Sequence, residues 1–149
     1  MRRLIAMVLP SCLALIFCAG TTKADITGQI YATIPFQFHV ANTTLPAGKY
    51  VLRMLGGSDL SIMTITSADN KITEEFFVRQ AFATKKPQRS ELVFSRYGQE
   101  EFLRRIFGED SQNGEAVDET AREELRLQKK GVHPFVHSVE AALEKVEPK

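Results

Sequence analysis

The chain has 149 residues, 44% hydrophobic and 9% aromatic, with 19 lysines and arginines against 18 aspartates and glutamates. That length suits one domain able to bury its own core, and the near balance of charge excludes the strongly basic surface on which nucleic-acid binding depends. Its two cysteines, Cys12 and Cys18, both fall near the N-terminus.

The N-terminal segment has a character of its own. Arg2 and Arg3 precede an uncharged, mostly apolar run from Leu4 to Thr22, followed by "TKAD" up to Asp25. A basic start, an apolar middle and a small-residue exit mark a secretory signal peptide, so residues 1–24 are expected to be removed after Ala24, with cleavage after Gly20 as the second choice. The run falls short of the roughly 20 apolar residues a spanning helix needs, and Pro10 interrupts it, so no stable membrane span is expected after cleavage. Phe17 stands where a lipoprotein site would place a small residue before Cys18. Removing residues 1–24 takes away Arg2, Arg3 and Lys23 and no acid, leaving 125 residues with 16 basic against 18 acidic, a net −2. The expected product is a periplasmic or extracellular chain without cysteine, hence without disulfide, thiolate nucleophile or cysteine-based zinc site.

Beyond that segment the pattern is β. From Gln29 to Val40 the residues Ile30, Ala32, Ile34, Phe36, Phe38 and Val40 share one parity, the period of a half-buried strand. Pro35 cannot donate a ladder hydrogen bond, so it marks an edge or a bulge. In "LPAG", Pro46 presets a turn and Gly48 is expected to supply a left-handed residue closing a short hairpin. "KYVLRML" follows as a strand, the stretch from Gly56 to Asp59 breaks the chain, "LSIMTITS" resumes it, and Asp69-Asn70-Lys71 turns it again. "ITEEFFVRQAF" reads as a long strand. A polar loop from Thr84 to Ser90 leads to a second hairpin, "ELVFSRY" and "EEFLRRIF", turned at Gly98. Its apolar residues occupy both parities, so the sheet is expected to be covered on both faces.

After the linker "GEDSQNGEA", Val117 to Lys130 is charged and helix-prone, and Gly131 stops it. Val132, Phe135, Val136, Val139, Ala142, Leu143 and Val146 then recur at helical spacing, which predicts a second, amphipathic helix that either docks on the sheet, the preferred reading, or meets a partner. The expected division is a β domain over 25–107 and a charged linker with a helical C-terminal region over 108–149.

Three stretches carry a likeness. "TIPFQFHV", "LPAGKY" and "FSRYG" with its hairpin partner "EEFLRRIF" resemble a family of small exported bacterial proteins of unknown function. Their pattern runs Pro-Phe-x-Phe-x-Val, Leu-Pro-Ala-Gly-x-Tyr and Phe-x-Arg-Tyr-Gly. The likeness spans roughly Thr33 to Phe107, and Glu101 stands where such families often place another aromatic. The resemblance implies export and a compact β domain, and it carries over no catalytic residue.

Candidate chemistry is sparse. Asn42-Thr43-Thr44 fits the glycosylation acceptor rule, but short polar side chains at this point cap a turn more simply. His133 and His137, four apart, would share a helical face with Glu140 and Glu144. Zinc, however, needs three or four ligands held by further hydrogen bonds, so these are weak metal candidates and no cofactor is expected. No Gly-x-Ser-x-Gly elbow or phosphate-binding glycine loop occurs. The pairs Glu74-Glu75, Glu100-Glu101 and Glu123-Glu124 are sequential and so point apart in a strand. The basic groups Lys85-Lys86, Arg104-Arg105 and Lys129-Lys130 read as solvated.

The sequence thus predicts a mainly β domain, a sandwich or partly open barrel of about six or seven antiparallel strands with C-terminal helical segments. Its expected role is a non-catalytic structural or interaction module of the cell envelope, with an unknown envelope protein as partner. The alternative is a carrier of an apolar small molecule held between the sheet and the last helix.

Overall fold

The computed structural model describes residues 28–55 and 61–144. The expected signal segment with Ala24, both cysteines, the break at 56–59 and Val146 lie outside the described residues. Ten strands form one sheet: β1 (Gln29–Ile34), β2 (Phe38–Val40), β3 (Thr43–Leu45), β4 (Gly48–Leu55), β5 (Ile62–Ser67), β6 (Thr73–Phe82), β7 (Ser90–Tyr97), β8 (Glu100–Phe107), β9 (Asn113–Val117) and β10 (Phe135–Glu144). A helix, α1 (Arg122–Lys129), joins β9 to β10.

Eight of the strands close into an antiparallel barrel, in the circular order β1-β4-β5-β6-β9-β8-β7-β10. The seam is the β8–β9 pairing of Arg105, Ile106 and Phe107 with Ala116, Glu115 and Gly114. Closure satisfies the backbone groups that a sandwich would leave along open edges, so a barrel stands where the sequence suggests a sandwich or open barrel. The expected six or seven strands become eight in the barrel and two outside it.

Those two complete the closure. Toward its C-terminal end β9 leaves β8, and β2 takes the vacated edge, pairing in parallel with β8 at His39 and Phe102. β3 folds back on β2 through a two-residue loop, Ala41-Asn42, with Ala41 in the left-handed region at φ 49°. The single strand expected from Gln29 to Val40 is therefore cut at Pro35, where the missing N–H lets the chain leave β4 and β10 and cross toward β8. Parity survives the break: Ile30, Ala32, Ile34, Phe38 and Val40 are all buried.

Inward-facing residues fill the barrel. Ile30, Leu52, Met63, Ile65, Leu92, Phe94 and Ile106 are fully buried. Phe38 reaches in from β2 and meets Tyr50 and Phe94 edge to face, with centroids at 5.3 and 5.7 Å. Because Tyr50 and Phe94 lie on strands separated by β1 and β10, the β2–β3 hairpin spans part of the barrel mouth and acts as a plug at this end. A second cluster, Ala81, Val93 and Phe107 with Ala83 and Ala116, covers the other parity of the β7–β8 hairpin. The two-sided apolar character of that hairpin is thus real, and its cover is divided between Ala81, Ala83 and Ala116 on one stretch and the C-terminal helix α1 on Tyr97 and Phe102.

The largest correction concerns residues 135–144. They form β10, paired with β7 from Phe135↔Arg96 to Ala141↔Ser90 and with β1 from Gln29↔Glu144 to Ala32↔Ala141. The helical spacing of Phe135, Val136, Val139, Ala142 and Leu143 coexists with a period of two, and the strand turns the odd parity inward: Val139, Ala141 and Leu143, half-buried, pack on the core. A gap between β7 and β1 can be bridged only by a strand, so tertiary pairing overrides the helix preference of Glu-Ala-Ala-Leu-Glu. The expected helix from Val117 also shortens, because Val117 ends β9 and the helix begins at Arg122. The boundary expected at residue 107 marks no end to the domain, since β9 and β10 are barrel strands.

Turn chemistry was mixed. Gly98 has φ +66° in the two-residue loop between Tyr97 and Glu100, as the sequence predicts. Asn70 is left-handed at φ 57°, and the Asp69 carboxylate accepts hydrogen bonds from the Ser67 hydroxyl at 2.6 Å and the Lys71 N–H at 3.2 Å. Gly48 is not left-handed. It is a strand residue opposite Ile34, and the stretch Leu45 to Gly48 closes no hairpin, because β3 pairs with β2 while β4 pairs with β1 and β5. Pro46 lies on this crossover, its carbonyl accepting a hydrogen bond from the Tyr50 hydroxyl at 2.7 Å.

Candidate functional site

Most of the polar and aromatic side chains that chemistry would use gather at the plugged end of the barrel. The register places there the C-terminal ends of β1, β7 and β9, the N-terminal ends of β4, β8 and β10, the β2–β3 hairpin and α1. Two histidines are held there by two consecutive glutamates. His39 Nε2 lies 2.7 Å from a Glu100 carboxylate oxygen, and its Nδ1 lies 3.0 Å from the Thr44 hydroxyl. His137 Nε2 lies 2.7 Å from a Glu101 oxygen. A carboxylate only accepts, so each Nε2 carries its proton and donates.

Glu100 and Glu101 point to opposite faces of β8, as sequential residues of a strand must. Glu101 turns inward and is buried, with the Arg96 guanidinium 3.9 Å from its second oxygen. Arg96 also stands 5.0 Å above the Phe135 ring, a cation–π contact. The His137 ring packs against Phe36, Phe94 and Phe135. Glu100 turns outward to His39, whose ring stacks on Phe102 at 4.7 Å.

On the outer side of this end, α1 packs through Ala121, Leu127 and Val132 against Tyr97 and Phe102. Gln128 donates to the Tyr97 hydroxyl at 2.8 Å, and Arg104 meets the Glu124 carboxylate at 3.3 Å. Burial pushes the Glu124 carboxyl above its ordinary range, with the Arg104 charge partly opposing that shift. Burial, helped by the charge of Asp69, likewise raises the Tyr50 hydroxyl. Ala121 offers α1 no side-chain cap. The Asn42 carboxamide oxygen, 80 residues away in sequence, accepts the Arg122 N–H at 3.0 Å instead, satisfying one orphan donor of the first turn.

The residues singled out from sequence are distributed accordingly. Asn42, Thr43 and Thr44 bond to Arg122, Glu74 and His39 respectively, so this stretch fastens the plug to α1 and β6. His133 is exposed on the linker before β10, while His137 is committed to Glu101. The helical face expected to unite them with Glu140 and Glu144 does not exist, because strand parity sends both glutamates away from His137. No cluster of three or more potential metal ligands occurs among the described residues. The crevice expected between sheet and last helix, where an apolar ligand would sit, is absent because β10 belongs to the sheet.

What sequence reasoning missed are the partners of Glu101 and Glu124 and the exposure of Phe135, Val136 and Leu125. A charged residue at an inward-parity position of a strand, Glu101 beside Leu103, was the available signal. Comparison with protein-family models, with curated proteins and with solved structures finds no match to this chain.

Proposed function

We propose that the chain is an exported, non-catalytic interaction domain of the cell envelope, built on a filled barrel and engaging a protein partner through its outer wall. One observation carries this reading. On the outward parity of three adjacent strands, Leu55, Ile62 and Phe77 stand directly opposite one another in register, and Leu55 and Phe77 are 42% and 43% exposed. Cross-strand neighbours of this kind form one continuous apolar row rather than scattered contacts, and such rows on a water-facing wall mark interaction sites.

Two further features support the reading. The ionic and hydrogen-bonded groups at the plugged end are spent on one another, which suits scaffolding better than turnover. The motifs behind the family likeness converge in the same place: Phe36 and Phe38 on Phe94, Tyr50 on Pro46, and Tyr97 on Phe102. They build the plug and carry no reacting group.

The test is in-cell photo-crosslinking from position 77, followed by fractionation. A discrete crosslinked envelope protein, lost when Leu55 and Ile62 are changed to serine, is the expected result. Crosslinks to nothing but solvent, or a chain retained in the cytoplasm, would overturn the reading.

A further inference from the structure

We propose that the outer face of α1 is a docking surface for an anionic lipid bilayer, distinct from the apolar row on β4, β5 and β6. The helix divides its residues sharply. Glu124, Leu127 and Gln128 face the barrel, whereas Arg122, Leu125, Arg126, Lys129 and Lys130 line one open groove on the outside. Leu125 is 43% exposed among these cations. The long side chains lay aliphatic stems along the groove and carry their charge at its rim.

Internal stability does not account for this arrangement. Arg126 pairs with Glu123 at 3.3 Å, but among the described residues no carboxylate lies within ion-pair distance of Arg122, Lys129 or Lys130. Lys129 complements the C-terminal end of the helix dipole, yet Arg122 sits in the first turn, where a cation opposes it. Among the described residues, Arg122, Lys129 and Lys130 thus leave on this face an unpaired positive patch that an external anion complements. The groove is open and lies on the outer side of the barrel, so an extended plane of phosphates reaches all the cations at its rim together, which a single peptide carboxylate does not.

The apolar side of a bilayer interface is also provided for. Val136, on the outward parity of β10 just beyond the Gly131 turn at the same end of the barrel, is 52% exposed, and Phe135, which turns toward the mouth of the barrel beneath Arg96, is 58% exposed. Leucine and phenylalanine beside lysine and arginine are the composition of interfacial segments. A free helix of eight residues would not hold its shape in water, but packing on Tyr97 and Phe102 preforms this one. The attraction is local, since the chain as a whole is close to neutral. This surface goes beyond the protein-binding row and stands without it, because lipid binding by the purified chain needs no protein partner.

The experiment is vesicle co-sedimentation of the purified chain without residues 1–24, whose apolar run would otherwise contribute. Phosphatidylglycerol-containing vesicles are compared with pure phosphatidylcholine at low and high salt. Binding to the anionic vesicles about tenfold or more tighter, and lost at high salt, is expected. The combined variant Arg122→Gln, Lys129→Gln, Lys130→Gln should lose about tenfold or more. Leu125→Ser should weaken binding severalfold and leave its salt sensitivity in place. Circular dichroism of both variants should match the parent, since all four side chains face solvent. Equal binding to the two vesicle types, no binding to either, parental binding by the triple variant, or retention by an acidic peptide alone would each overturn the proposal.

Discussion

Phe38 is fully buried between Tyr50 of β4 and Phe94 of β7, so Phe38→Ala should cost about 3–5 kcal/mol, read as a lowered urea midpoint. Two glycines give a sharper contrast. A Cβ on Gly114 would lie 2.3 Å from the Ile106 carbonyl oxygen and equally close to the Phe107 ring, at the seam where the barrel closes. Gly114→Ala should therefore destabilise by about 1–3 kcal/mol. A Cβ on Gly48 would meet only the Tyr50 ring at 3.5 Å, and its backbone is not left-handed, so Gly48→Ala should change stability by less than about 1 kcal/mol. Equal losses at both positions would contradict the closed seam. Glu124 adds a pH dependence. Burial raises its carboxyl above the ordinary 4.5, so the folded state binds this proton more tightly than the unfolded chain does. That stabilisation is complete below 4.5 and is lost as pH rises through the raised folded value. Glu124→Gln removes the effect, so the variant should gain stability relative to the parent as pH rises from about 4 toward neutrality, measured by urea unfolding at each pH.

Among the elements, β1 and the β7–β8 hairpin were legible because each announces itself locally. Ile30, Ala32 and Ile34 alternate with Tyr31 and Thr33, and Gly98 marks its turn. β10 was not legible, because its residues satisfy a helical period and a strand period together. The deciding fact, an unfilled position between β7 and β1, is a property of the assembled sheet. Gly48 was misread for a related reason: Pro-Ala-Gly is turn chemistry, and nothing local reveals that the strands on either side pair elsewhere. The salt bridges of Glu101 and Glu124 were equally hidden, since both partners come from other elements. As a barrel strand hydrogen-bonded on both sides, β10 is indispensable. Deleting residues 132–149 should abolish cooperative thermal unfolding altogether, whereas a docked helix would leave a folded sheet with newly exposed apolar surface.

At the scale of the molecule, a filled barrel with a plugged end has its chemistry on the outside. The inward residues form one cluster from Ile30 to Val117, and the polar pairs at the plug fasten β2, β10 and α1 to β8. In the functions proposed here the work falls to surfaces, the Leu55–Ile62–Phe77 row for a protein and the cationic face of α1 for lipid. Both depend on the same claim, that residues 135–144 close the barrel as a strand and leave α1 to stand outside it. The most direct test is the pattern of nuclear Overhauser effects in the isotope-labelled chain. Backbone contacts linking His137 to Phe94, Leu143 to Ile30 and Ile106 to Glu115 are predicted. Sequential amide contacts with i to i+3 connectivities through 135–144, and none to β1 or β7, would contradict the account.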